Sequence, residues 1–341
     1  MVETRAAHGV RFGISLPNRA VLFGMPVETL LETAEAAEAA GGFDSVWVGD
    51  NFLSKPRLEA IVTLSALAAR TRRLRLGTIC LASFPLRHPV LLALQWASLD
   101  RLSGGRTILA VCLGGAARMG PRFATELAAH GVKSSERVAR LEEGIELLRR
   151  LWAGPVTHHG RFYRFDNVEV LPRPAQERVP IVLAVNPAAD ADPATEERAL
   201  RRVARLADGW QTDGLPPPLF RARWGRIRAY AAEYGRAAEV TDASLHLMVN
   251  INDDAARARR EAVEFLDRYY GVGVVSEDKL ASWLACGPAA AVAEKIAGFI
   301  DAGCTTVVVR FTASDQRGQL ERFVADVLPT FRQQRDIMVA G

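Results

Sequence analysis

Residues 42–81 read GFDSVWVGDNFLSKPRLEAIVTLSALAARTRRLRLGTICL. Asp44–Gly49 is a short apolar run of the kind that forms a buried strand. Pro56 then starts a helix that reaches about Arg70, and Leu74–Leu81 is a further buried strand. This unit of strand, loop, helix and strand extends in both directions. Upstream, Arg11–Pro17 is a strand, and Pro26 opens a helix stopped by Gly41-Gly42. Downstream come a helix over Pro89–Leu102, a strand over Thr107–Leu113 and a helix over Ser134–Trp152. Further strands are expected at Pro180–Val185, Gly209–Thr212, Ser244–Ile251 and Thr305–Phe311. Helices follow at Pro193–Ala207, Leu219–Tyr234, Asp253–Tyr269, Pro288–Gly303 and Gln316–Arg332. Val156–Leu171 alternates instead, and reads as a small hairpin insertion, while 269–286 is irregular.

Eight strands alternating with helices predict a parallel sheet, and eight is the number that closes a barrel. The expected fold is therefore α/β, a (β/α)8 TIM barrel with loop insertions, as one domain over residues 1–341. The rival, an open doubly wound sheet, would announce a dinucleotide with G-x-G-x-x-G after its first strand. Here that place holds PNRAVLFG.

The composition is that of an ordinary globular chain, 49% hydrophobic and 24% charged. The net charge of +4 comes from arginines that sit among glutamates on helices, as in 198–205. Nucleic-acid binding would want a basic stripe with interleaved aromatics, which is missing. No run reaches the roughly 18 apolar residues of a membrane span, and Met1–Val10 has no secretory core. Cys80, Cys112, Cys286 and Cys304 have the spacing of neither a zinc site nor a secreted disulfide framework, so a cytoplasmic setting is expected.

In such a barrel the active site lies at the C-terminal ends of the strands. Those positions hold Pro17, Asn18, Asp50, Asn51, Ile79–Ser83, Gly114, Gly115, Asn186, Gln211, Thr212, Asn250, Arg310 and Phe311. The set has no metal-ligand cluster, no Schiff-base lysine at a strand end and no G-x-S-x-G elbow. A mouth of this kind suggests that a cofactor carries the hard chemistry.

Several segments, in order, resemble the luciferase-like group of flavin- and deazaflavin-dependent oxidoreductases. They are GFDSVWVGD, PRLEAIVTLSALAARTRRLRLGT, PLRHPVLLALQWASLDRLSGGR, ILAVCLGG, ERVARLEEGIELLRRLW, HGRFYRF, PRPAQERVPI, RVARLADGW and GPAAAVAEKIAGFIDAGCTTVVVRF. The resemblance implies reduced FMN or the deazaflavin coenzyme F420 in the barrel mouth. It also implies a non-prolyl cis peptide at the end of the third strand. By alignment that bond is Ile79–Cys80, with Thr78–Ile79 as the second choice, and it would place Ile79 and Cys80 under the cofactor ring.

The same resemblance assigns candidate roles. Asp50 either contacts the cofactor or caps its loop. Asn51 stands where many members have a histidine; it can hydrogen-bond but cannot exchange a proton near neutral pH. Arg87 either faces the cofactor or pairs with an acid. Gly114 and Gly115 admit the cofactor to the backbone or form a tight turn, with Cys112 in place of a more usual glycine. Asn186 begins a loop that in relatives leads to a phosphate-binding helix N-terminus. Here Asp190 and Asp192 follow, so the phosphate would sit upstream of them or the contact has changed. Gln211 is a further cofactor contact, and Arg310 either stabilises a flavin or substrate anion or makes a structural ion pair. Asn51, Arg87 and Arg310 are the catalytic candidates.

The function favoured at this level is a monooxygenase. It would take reduced FMN from a separate flavin reductase and use O2 to oxygenate a small organic substrate. F420-dependent hydride transfer is the first alternative, and a non-catalytic flavin-binding subunit the second. A homodimer is what the family leads one to expect.

Overall fold

The β-branched and aromatic runs become strands because their two faces meet different apolar surroundings. In a computed structural model the described residues are 9–188 and 190–331. The N-terminal stretch Met1–His8, Ala189 and the expected helix end at Arg332 lie outside them. The first half contains β1 (Arg11–Leu16), α1 (Val27–Ala40), β2 (Ser45–Val48), α2 (Ala60–Arg70), β3 (Arg75–Thr78), α3 (Pro89–Ser103), β4 (Thr107–Val111), α4 (Pro121–Ala129) and α5 (Arg137–Ala153). A hairpin of β5 (Val156–His159) and β6 (Arg164–Val168) follows. The second half contains β7 (Ile181–Ala184), α6 (Pro193–Leu206), β8 (Gly209–Asp213), α7 (Pro217–Glu233), β9 (Asp242–Ile251), α8 (Ala255–Tyr270), α9 (Glu277–Trp283), β10 (Leu284–Gly287), α10 (Ala289–Asp301), β11 (Thr306–Phe311) and α11 (Gln316–Arg322).

The sheet runs β1, β2, β3, β4, β7, β8, β9, β11 and returns to β1, parallel throughout. This is the (β/α)8 barrel that the alternation predicts. Three features were not expected. Helix α4 lies after β4, and α9 with β10 occupies the irregular stretch 269–286. β10 pairs with the upper half of β9, starting from Leu284 opposite Met248.

Alternation along each strand separates two cores. Phe12, Ile14, Leu16, Val46, Val48, Leu109, Val307 and Val309 face the helices. Trp47, Ile108, Ala110, Val182 and Val308, with Ile79 against them, fill the barrel interior. Trp47 fits because its neighbours on β1 and β3 are glycines. A Cβ on Gly13 would lie 2.5 Å from the indole Nε1, and one on Gly77 would lie 2.2 Å from Cε3. The indole therefore plugs the barrel below its mouth.

The cysteine reading needs a correction. Cys80 and Cys112, 32 residues apart in sequence, are joined as a disulfide. Spacing rules inspect neighbours along the chain, whereas here adjacent strands β3 and β4 bring the two together. Cys286 and Cys304 are free.

Candidate active site

Strand register shows which side chains share the mouth. Val308 faces the barrel interior, so Arg310 two residues on does the same. His246 is level with Val308, and Gln211 is level with Ser244, two residues before His246. Gln211, His246 and Arg310 thus point into the barrel from three neighbouring strands. Gln211 Nε2, His246 Nε2 and Arg310 Nε are buried and have no hydrogen-bond partner among the described residues. Leaving such an atom unsatisfied costs about 1–3 kcal/mol. Three of them on adjacent strands make a surface that matches the hydrogen-bonding edge of a polar heterocycle or of a substrate.

Arg310 is 2% exposed. Its guanidinium donates to the Ser15 hydroxyl at 2.6 Å and to the Tyr270 hydroxyl at 3.3 Å, and it lies 5.0 Å from the Tyr269 ring centroid. No carboxylate pairs with it among the described residues. The structural ion pair considered for Arg310 is therefore not found.

More cations converge on the same side. Arg57 fills the space above Gly49, where a Cβ would meet its Nη1 at 2.2 Å. Lys55 lies 5.0 Å from the Tyr270 ring centroid, and Lys279 lies 4.4 Å from that of Trp283. The acid paired with this group is Asp213, 3.3 Å from Lys279 Nζ. Burial, then the charges of Arg57, Lys279 and Arg19, push the Lys55 ammonium down to about 8. Burial, with Arg310 and Lys279 adding to it, holds the His246 imidazole well below its ordinary value. Burial raises the Tyr270 phenol to about 12. The wall formed by β9, β11 and the segments that follow β2 and β9 is electropositive and, among the described residues, short of counterions.

The opposite end of the barrel differs. A cleft of about 320 Å³ lies beneath Trp47. There Arg11 pairs with Asp242 at 2.6 Å, and Arg178 pairs with Asp208 and Glu239 at 2.7 Å each.

The remaining candidates divide. The expected cis bond is present at Ile79–Cys80. Asp50 accepts from Ser83 N at 2.7 Å, and Arg87 donates to Ser83 Oγ at 2.8 Å and to Glu59 at 2.7 Å, with Asp50 at 3.4 Å. Burial pushes the Asp50 carboxyl up, opposed by Arg87. The two residues form a clasp between the loops after β2 and β3, so the capping reading of Asp50 and the acid-pairing reading of Arg87 describe the contacts they make. Asn51 donates to Ser54 Oγ at 3.1 Å within its own loop. Gly114 has φ +63°, and a Cβ there would sit 2.3 Å from the Ala82 carbonyl oxygen; one on Gly115 would strike the Phe123 ring at 2.0 Å. Both glycines are required by their own packing.

Asn186 is exposed, donates to Asp213, and accepts from the buried Arg223 at 3.2 Å. The N-terminus of α6 is capped by Asp192, which accepts from Thr195 N at 2.9 Å. The acid thus occupies an amide that could otherwise hold a phosphate. Trp210 is core, its indole donating to Val185 O at 2.8 Å.

His246, Lys55, Arg57 and Lys279 were missed from sequence. His246 lies mid-strand, four residues before Asn250, the position that a search of strand ends inspects. The lysines are loop and helix residues whose meeting is tertiary. Glu126 on α4 anchors the Lys55 loop, accepting from Leu53 N at 2.6 Å and Ser54 N at 2.8 Å. One signal was available: the chain has four lysines, and two of them are at this mouth.

A family model described as luciferase-like monooxygenase matches residues 10–306. The chain belongs to the luciferase-like monooxygenase family. Members of this family are oxidoreductases. Relatives include an F420-dependent glucose-6-phosphate dehydrogenase of Nakamurella multipartita, 29% identical over 95% of this chain and 97% of its own. Another protein of that name, from Amycolatopsis mediterranei, is 30% identical over 89% of this chain and 94% of its own. Among solved structures, an F420-dependent secondary alcohol dehydrogenase superposes with TM-score 0.78 at 19% identity, covering 95% of this chain and 99% of its own. A monooxygenase from Streptomyces bottropensis gives 0.76 at 23% identity, covering 94% and 99%. These two likenesses concern the fold. Among the described residues no helix is long and apolar enough to cross a membrane.

Proposed function

We propose that this luciferase-like chain is an F420-dependent oxidoreductase acting on a small organic substrate that carries an anionic group. The observation that carries the substrate class is the electropositive wall of Lys55, Arg57, Lys279 and Arg310, in which Lys279 forms an ion pair with Asp213. The F420-dependent relatives named above favour the deazaflavin over the FMN-monooxygenase reading that the sequence first suggested. The orphaned polar atoms of Gln211, His246 and Arg310 fit a polar heterocycle in the mouth.

When bound, coenzyme F420 would supply hydride exchange. The chain's own residues do the rest. Lys55, Lys279 and Arg57 orient the anionic end of the substrate, and Arg310 Nε offers a charged hydrogen bond to a reacting oxygen. His246, neutral because it is buried beside cations, has Nε2 unpaired and able to exchange a proton with that oxygen. Asn51 takes no part in this proton transfer. Trp47 closes the barrel beneath the site, and Tyr269 and Tyr270 exclude water above it.

The test is a comparison of substrates in pairs. Protein with oxidised F420 is mixed with glucose 6-phosphate, small hydroxy acids, or neutral alcohols of similar size, and loss of the oxidised coenzyme's absorbance is followed. Turnover confined to anionic compounds supports the reading. Equal turnover of neutral partners refutes the anionic class, and oxygen incorporation with reduced FMN restores the monooxygenase.

A further inference from the structure

The Cys80–Cys112 pair lies where the third and fourth barrel strands end. Cys80 follows the Ile79 cis peptide, and Cys112 follows Val111 at the end of β4, across the barrel from Arg310 on β11. Their Cα atoms are 6.0 Å apart. Both are partly exposed, unlike the buried Cys304. At this height the backbones meet through a single bridge, Leu81 to Val111, with Leu81 N donating to Ala110 O at 2.7 Å and Cys112 N to Leu81 O at 3.4 Å. Two residues further on, Gly114 rests against the Ala82 carbonyl. The bond between the cysteines therefore joins the two strand ends that shape one side of the mouth.

We propose that Cys80 and Cys112 form a reversible dithiol–disulfide couple, and that the cross-linked form holds the cofactor pocket in its binding shape. The position of the pair makes both halves of this possible. Partial exposure at the mouth admits a small thiol, which a buried pair would exclude. The thin backbone pairing between Leu81 and Val111 leaves the cross-link as the covalent tie between the two loops, while Asp50 and Arg87 hold Ser83 and Arg137 holds the Leu113 and Gly114 carbonyls from outside. A site restrained beforehand loses less freedom on binding.

The chemistry balances with an external thiol. One thiolate attacks a sulfur of the pair, breaking the S–S bond and forming a mixed disulfide. A second thiol displaces it, leaving two protein thiols and one external disulfide. Two electrons and two protons are transferred, and a low-molecular-weight disulfide reverses the exchange. By linkage, the cofactor and the cross-link favour each other by the same factor. The identity of the cofactor rests on the F420 reading above, whereas the couple itself does not.

The test uses the full chain equilibrated in glutathione buffers from reducing to oxidising, then quenched, unfolded, alkylated and weighed. The expected result is one transition from four alkylatable cysteines to two. Saturating F420 should shift it about tenfold toward the disulfide, which is about 30 mV for a two-electron couple. In direct titration, reduction should weaken F420 binding about tenfold. A Cys80→Ser, Cys112→Ser variant should bind like the reduced protein in every buffer; should it fail to fold, the two redox forms of the native chain carry the comparison. Four alkylatable cysteines in all buffers, or equal affinity of both forms, overturns the proposal. Binding of FMN instead of F420 with the same redox dependence supports the couple while refuting the deazaflavin reading. Failure of both cofactors to bind in either form overturns the link between the cross-link and the pocket.

Discussion

Arg310 Nη2 donates to the Ser15 hydroxyl at 2.6 Å, tying the last barrel strand to the first at the level of the mouth. This is a buried cation held by hydroxyls and aromatic rings, with no carboxylate. A buried charge without its opposite is costly, and an apolar side chain of similar volume can replace it without loss of stability. Arg310→Met is therefore expected to keep the Tm within about 3 °C of wild type, or raise it, while cutting kcat/KM for an anionic substrate at least tenfold. Calorimetry and steady-state kinetics read the two effects. A large fall in Tm would mean that Arg310 serves the fold instead.

The depressed Lys55 ammonium gives a pH dependence with a definite sign. Below about 8 the lysine is charged in the folded chain, and above that value it is neutral. Affinity for an anion should therefore fall as the pH rises through about 8. The unfolded chain keeps its proton to about 10.5, so this group's contribution to stability improves over the same rise. In Lys55→Met the affinity is expected to be lower at neutral pH and flat through this window. Isothermal titration with sulfate, whose charge is constant over this range, at about pH 7 and pH 9 separates the two proteins.

His246 makes the opposite end of the pH scale informative. Its folded value lies well below 6.5, so under mild acid the unfolded chain takes up a proton that the folded chain refuses. Stability should fall between about pH 6.5 and pH 5, and His246→Gln should lose less over that interval than wild type. Urea midpoints of the two proteins at both pH values provide the measurement. Parallel losses would show that the imidazole is already charged in the folded barrel.

Beneath the site, Trp47 occupies space left by Gly13 and Gly77. Truncation to alanine should cost about 3–5 kcal/mol, measured by urea unfolding. Gly77→Val should be as damaging, since its side chain would enter the indole ring. A small effect in either variant would contradict the plug.

The barrel was legible because its strands are short β-branched runs separated by helices of ordinary length. All eight fall within about three residues of the expected bounds. Helices α4 and α9 were not, since each is short and neither has a sustained apolar period. Arg310 and Gln211 were legible as residues facing the mouth, because they end or nearly end their strands. Asp50 and Arg87 look equally functional in sequence, yet the fold engages them with Ser83 and Glu59. The disulfide and the lysine cluster depend on which strands and loops become neighbours, and no local pattern encodes that.

A deazaflavin is the cofactor proposed for this mouth. Fluorescence titration of the purified, oxidised protein with F420 and with FMN, in parallel and in both redox states of each cofactor, tests it directly. Saturable F420 binding at least tenfold tighter than FMN binding is expected. Tight FMN binding with no response to F420 would contradict it.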